Sequence, residues 1–314
     1  QTTSDSEHLQ RIKRVQRNWL SAVTGKGYEP ADTWFRSLLS EDDLGKLSEH
    51  PEFHSYMEFR RGPGPSQYQA PELLIHAQLG TIVDALNRFQ EVDIWKGPTI
   101  KALVDSLEEA VILAPVDFLR LLPKFVYAKR PYQFGVIEGF RRLWTNGDQN
   151  SKSIDWNSVW EGLILFFEQL IGEPSFWTEV VVEDRNWTPN RDWIPPVIAN
   201  CIKAGTLDDG KAYSPSLLPR SWSLLQILLN RLEGGQDTPS DPTNHSINSP
   251  RGKAIEALFT HALRDCRLND QTRNDHSAAW EAMRPIFDAE LAKCQNAKFE
   301  FSALAGNYLP NLEY

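Results

Sequence analysis

Three groups of residues in this chain have types and spacing that could do chemistry. Glu179, Glu183 and Asp184 place carboxylates close together, as a divalent cation assisting phosphodiester cleavage would require. Such a nuclease also needs a lysine beside a further carboxylate; the nearby candidate, Asp209-Gly-Lys211, reads as a turn. The plainer reading of the cluster is a solvated acidic loop. Next, Arg251-Gly-Lys253 opens a helix, so two cations and free backbone N–H groups could receive an anion. Against this, Asn248 and Ser249 can cap that helix, Gly252 can permit close packing, and Arg251 can pair with a neighbouring carboxylate. Finally, Trp187 and Trp193 lie in the proline-rich stretch from Asp184 to Pro196, where aromatic rings could anchor a partner protein or tuck between helices. Trp187, Trp193, Asn248, Arg251 and Lys253 are therefore the candidate binding residues.

No residue is assigned a catalytic or metal-binding role, and no cofactor is expected. The seven histidines show no H-E-x-x-H spacing, and His50 and His54 are separated by Pro51, which works against one continuous helix. Walker-type, dinucleotide-binding and G-x-S-x-G patterns are absent from the sequence. Cys201, Cys266 and Cys294 are odd in number and far apart, which fits free thiols in a reducing compartment.

The elements that must position these residues read as helices. Trp156, Val159, Trp160, Leu163, Phe167 and Leu170 fall on one face behind the cap Asp155. Similar periodicity predicts helices over Leu9 to Val23, Leu73 to Phe89, Ile100 to Leu113 behind Thr99, and Trp222 to Leu232. Pro123 should kink or end its helix, and Pro131 should start the next. A polar loop from Asn244 should lead into a helix capped by Ser249. Pro250 suits that helix's first position, and Ile255, Leu258, Phe259, Ala262, Leu263 and Cys266 form an apolar stripe opposite Lys253, Glu256, Thr260, Arg264 and Arg267. Val180-Val-Val182 allows at most one small hairpin. Helix pairs and turn-rich separators alternate at intervals of roughly 35 to 45 residues, the range of HEAT-like repeats. The expected fold is all-α, a HEAT-like solenoid of antiparallel helix pairs forming one array over residues 1–314, with a sub-boundary near 233–249.

Of the 314 residues, 41% are hydrophobic and 24% charged, the composition of an ordinary folded chain. The longest apolar runs, such as Leu163 to Phe167, are far too short to cross a bilayer. With no amino-terminal signal segment, the expected location is the cytoplasm. A net charge of -9 disfavours a general nucleic-acid binder. The chain starts at Gln1 without methionine and stops abruptly at Tyr314, which reads as a piece of a longer polypeptide.

Ile247-Asn-Ser-Pro-Arg-Gly-Lys-Ala-Ile-Glu-Ala-Leu258 resembles a segment of very large bacterial proteins whose carboxy-terminal parts are helical repeats. The stretches Glu58 to Ser66, Ala85 to Phe89 with Trp95 to Pro98, Phe134 to Phe140 with Ile154 to Val159, and Ala305 to Leu309 are similar to further parts of such arrays. After the first of these turns, Pro65-Ser-Gln-Tyr-Gln lacks the apolar residue and acidic helix start that the pattern calls for. The family includes STAND-type ATPases and sirtuin-domain proteins implicated in defence against phage. The resemblance implies a non-catalytic sensor or scaffold that recognises a foreign protein, or restrains an effector, an NTPase or NADase module elsewhere in the polypeptide. The implied partners are a phage-derived protein and other domains of the same chain, with no membrane. Two alternatives stand beside it: a metal-dependent nuclease or nucleotide-processing module, and a nucleic-acid-binding helical array.

Overall fold

The structure, a computed structural model, describes residues 2–40, 44, 47, 64–92, 97–147, 154–181, 188–235, 239–294 and 298–308. The chain is all-α and divides into two compact units, Gln1–Arg61 and Gly62–Tyr314. The first holds α1 (Thr2–Val23) and α2 (Glu29–Leu39). The second runs α3 (Ala70–Gln78), α4 (Ile82–Arg88), α5 (Ile100–Leu113), α6 (Pro115–Phe125), α7 (Arg130–Asn146) and α8 (Trp156–Ile171). It continues with α9 (Pro174–Thr178), α10 (Ile194–Ala204), α11 (Leu218–Arg231), α12 (Pro242–Asn248), α13 (Pro250–Arg273), α14 (Ser277–Lys293) and α15 (Glu300–Tyr308). No strand occurs among the described residues: Val180 and Val181 are irregular, and Val182 lies outside them. Among the same residues no helix is long and apolar enough to cross a membrane.

Local chemistry sets most helix starts. Proline occupies the first or second position of α2, α3, α6, α7, α9, α10, α11, α12 and α13, where its missing N–H costs nothing. Thr99, Asp155 and Ser249 cap α5, α8 and α13 through their side-chain oxygens, as expected. The helix after Pro65-Ser-Gln-Tyr-Gln does have an acidic start. Gln69 and Glu72 close a reciprocal capping box at α3, which corrects the expectation that none was present.

Two other expectations change. The periodic stretch Leu73 to Phe89 is two helices, because Gly80 adopts φ +69° and breaks it between α3 and α4. Asn244 lies within α12 rather than in a loop, and Ser249 ends that helix while capping the next. As expected, the helix that contains Pro123 ends there: Pro123 sits in the last turn of α6, which stops at Phe125.

In unit Gly62–Tyr314, α5 packs on α7, α7 on α10, and α10 on α13, while α6 packs on α8 and α8 on α11. The core is continuous from Ala70 to Leu304 and includes the fully buried Phe118, Phe125, Phe140, Trp160, Phe166, Phe167 and Phe259. One ion pair bridges each of several neighbouring helices. Glu108 of α5 meets Arg142 of α7 at 2.8 Å, Glu168 of α8 meets Arg220 of α11 at 2.6 Å, and Lys203 of α10 meets Glu256 of α13 at 2.7 Å. Burial raises the Glu108 carboxyl pKa even with the Arg142 guanidinium beside it.

The most extensive helix contact among the described residues is α5 on α7, and two glycines one turn apart bring the helices close. A methyl group on Gly139 would lie 2.8 Å from Val111 Cβ and 3.1 Å from the Glu108 carbonyl oxygen. On Gly135 it would lie 3.2 Å from Val104 Cγ1 and 3.4 Å from Leu107 Cδ2, side-chain ends that can yield. Alanine in a helix is favoured over glycine by about 1 kcal/mol, whereas overpacking a core costs about 1–3 kcal/mol. Gly139→Ala should therefore lower the unfolding free energy measured in urea by up to about 2 kcal/mol, since its clash is with Val111 Cβ and backbone, and Gly135→Ala should leave it nearly unchanged.

Candidate functional site

Helix α13 carries two of the candidate residues, Arg251 and Lys253. Its capped start is crowded: Ser249 Oγ accepts the Gly252 N–H at 2.9 Å and donates to the Ser246 carbonyl at 3.1 Å. A methyl on Gly252 would come within 1.7 Å of that carbonyl oxygen, so only glycine fits where α12 turns into α13. The apolar stripe expected on one face does not describe this helix. Glu256, Thr260 and Arg264, on its expected polar side, are also buried, because α10 and the Asp209 turn cover them. Glu256 pairs with Lys203, Thr260 bonds the Thr206 hydroxyl at 3.0 Å, and Arg264 reaches Asp209 at 2.6 Å.

Arg251 is 3% exposed, which corrects its assignment as a ligand-binding residue. Its Nη1 donates to the carbonyls of Leu229 and Leu232, both at 2.8 Å, and its Nη2 pairs with the buried Glu290 of α14. Those carbonyls end α11 and lack helical partners of their own, so a forked cation satisfies them. Glu290 in turn accepts from Lys293 at 2.6 Å. Arg251 thus joins α11, α13 and α14 and is closed to any outside anion. Asn248 is exposed, and its Nδ2 bonds Asn244 of its own helix at 2.9 Å.

Trp193 and Lys253 lie on one surface. Trp193 ends a 3-10 turn, Arg191–Trp193, that feeds directly into α10. Its ring meets Phe134 of α7 edge to face, with centroids 5.6 Å apart. From there a groove follows α7 and α10 past Glu138, Arg141, Pro196 and Asn200. Beyond Arg141 and Asn200 it continues to Trp144, Lys203, Asp208 and Lys211, and reaches Lys253 on α13. Its charges are largely matched in place: Arg141 holds Glu138 at 2.5 Å, and Lys203 and Lys253 share Glu256. The groove is therefore a mixed surface with half-buried aromatic rings at both ends, chemistry suited to a polypeptide more than to a polyanion.

The alternatives assemble less. Trp187, Glu183, Asp184, His50 and His54 lie outside the described residues. Glu179 accepts both Nε and Nη2 of Arg130, at 2.8 and 2.6 Å. Asp209, in the 3-10 turn Asp209–Lys211, takes Arg264 and Arg267 together, and hydrogen bonding from Arg267 holds its carboxyl below the usual range. Among the described residues no three His, Cys, Asp or Glu side chains gather as a metal site. Arg251, Arg264 and Arg267 are all committed to carboxylates, so no basic groove forms from them. Phe134, Glu138, Arg141 and Asn200 of the groove were not among the candidates. The only signal was that Phe134 and Arg141 stand seven apart on one helix, the spacing of a shared face.

Comparison with family models, with curated proteins and with solved structures finds no match to this chain. The resemblance to helical-repeat defence proteins rests on the residues that carry it.

Removing one member of a buried, hydrogen-bonded ion pair leaves the other uncompensated. Arg251→Met should thus cost about 3–5 kcal/mol of unfolding free energy in guanidinium titrations. Arg251→Met combined with Glu290→Leu should recover much of that loss, since the stranded charge is gone.

Proposed function

We propose that residues 62–314 are a HEAT-like helical-repeat array that binds a protein along the α7–α10–α13 groove, as a non-catalytic sensor or scaffold of a cytoplasmic bacterial antiphage defence protein. The repeat reading is supported by the order of neighbours: with the short α9 and α12 set aside, alternate helices contact one another, α5 with α7, then α10, then α13, and α6 with α8, then α11. In solenoids each repeat touches its sequence neighbours and leaves one row of helices free to take a ligand.

The observation that carries the binding reading is the groove itself. Trp193 and Phe134 stand at one end and Trp144 at the other, with Arg141, Lys203 and Lys253 held between them by Glu138 and Glu256. Rigid, half-buried aromatics beside oriented polar groups are what protein interfaces use as anchors. A defensive role, recognition of a phage-derived protein or restraint of an attached effector, follows from the resemblance of Ile247 to Leu258 to arrays in such proteins.

With the 314-residue chain immobilised, Trp193→Ala and Lys253→Glu should each weaken capture of a phage protein by about tenfold or more. Asp288→Asn, on the exposed side of α14, should capture like the wild type. Retention of full capture by both groove variants, with unchanged melting temperatures, would place the contact surface elsewhere.

A further inference from the structure

The groove along α7, α10 and α13 differs in charge between its two ends. At the Trp193 end, Arg191 pairs with Asp192 at 2.8 Å and Arg141 holds Glu138 through two nitrogens, so the charges cancel. The other end is a concavity of about 440 Å³. Arg141, Lys203, Lys211 and Lys253 line it, and Asp208 is the one carboxylate among its lining residues.

Few carboxylates hold these cations. Glu256 of α13, 7% exposed, serves two lysines: its Oε1 accepts from Lys203 at 2.7 Å and its Oε2 from Lys253 at the longer 3.4 Å. About a quarter of each lysine side chain stays open to solvent. Lys211 is exposed and its side chain forms no ion pair among the described residues. The turn that carries it, Asp209–Lys211, is clasped to α13, because Asp209 takes Arg264 at 2.6 Å and Arg267 at 3.0 Å. Its Nζ reaches the end of α7, 3.8 Å from where a methyl on Gly147 would lie. Asp208 is engaged in its own turn, where Oδ1 accepts the Gly210 N–H at 2.9 Å.

Taken with their ion-pair partners, the groups at this end are four cations against three carboxylates, Glu138, Glu256 and Asp208. The surplus is one positive charge, on a chain whose net charge is -9. The surplus of hydrogen-bond donors is larger, since an ammonium has three and a guanidinium five. Lys203 and Lys253 each commit one to Glu256, and Arg141 commits two to Glu138. A phosphodiester chain would bring many charges to a place with one to spare, and an apolar side chain would strip water from the ammonium groups without replacing it. A single carboxylate matches the surplus and takes several free donors at once. Beside the cations, the Trp144 ring is fixed by its Nε1 on the Ala204 carbonyl at 3.1 Å. With the exposed Leu207 it gives the methylene stem of an acidic side chain an apolar wall.

Given that the groove holds a polypeptide, as proposed above, we infer that the polypeptide lies there in one register. An aspartate or glutamate side chain sits among Lys203, Lys211 and Lys253, and apolar side chains sit toward Trp193 and Phe134. Electrostatic complementarity of this kind fixes register more than it adds affinity.

The test offers the labelled 314-residue chain to random twelve-residue peptides tethered to beads through their carboxy termini, so that only side chains supply carboxylates. Peptides that bind should be enriched in aspartate and glutamate. In the tightest of them, exchanging the acidic residue for its amide should weaken binding about five- to tenfold. The double variant Lys211→Met with Lys253→Met leaves Glu256 paired with Lys203, so it should melt like the wild type and bind the acidic and amide peptides alike. Capture that Trp193→Ala abolishes but that shows no preference for acidic peptides, or a preference that survives in the double variant, overturns the inference and leaves the groove standing as a polypeptide site. If no peptide binds, or if capture is indifferent to Trp193→Ala and to the double variant, the groove is not a polypeptide site and the inference falls with it.

Discussion

The Arg251 guanidinium is fixed by two backbone carbonyls at the end of α11 and by the Glu290 carboxylate on α14, while its own backbone sits in the first turn of α13. Three helices are thereby set against one another by a single planar group. The constraint spreads outward from there. Because α13 is held at its start, its next turns carry Ile255, Leu258 and Phe259 into the core, and Glu256 to Lys203 of α10. Its distal half then brings His261 and Asp265 to a cleft beside α11 and α14. The proposed binding groove is bounded by this one helix, at Lys253 near its start.

The ion pairs between neighbouring helices act in the same direction with less weight. Glu168–Arg220 is about one-third exposed on each side, and such pairs contribute little net stability in water. Their geometry still discriminates, since a one-residue slip of α8 along α11 would separate the two charges. The fully buried Arg251–Glu290 pair is the exception, since losing either partner strands a charge away from solvent.

Helix boundaries were legible in the sequence wherever the signal was local. Thr99, Asp155 and Ser249 were readable as caps because capping needs only a side-chain oxygen and an adjacent free N–H. The break at Gly80 was hidden because the apolar period of Leu73 to Phe89 runs through it unchanged. The burial of Glu256, Thr260 and Arg264 was hidden for another reason: a polar residue facing a partner helix has the same spacing as one facing water. Arg251 was readable as a residue that could pair with a carboxylate, but Glu290 stands thirty-nine positions away, beyond any spacing rule. The groove was half legible. Trp193 and Lys253 stood out by type, whereas Arg141 and Asn200 join them only through the packing of α7 on α10.

The prolines that open so many helices have an effect that the folded contacts do not contain. A residue with its φ locked near the helical value has few states to lose on folding, so each such proline lowers the entropy of the unfolded chain. It also stops a helix from growing backwards into the preceding turn, because it offers no N–H there and restricts the residue before it. In α2, α3, α6, α7 and α9 through α13, helix length is thus defended on the amino-terminal side whatever the neighbouring helices do. Insertions and deletions should accordingly be absorbed in the turns between these helices, leaving the spacing of residues that line each helix face intact as the chain diverges.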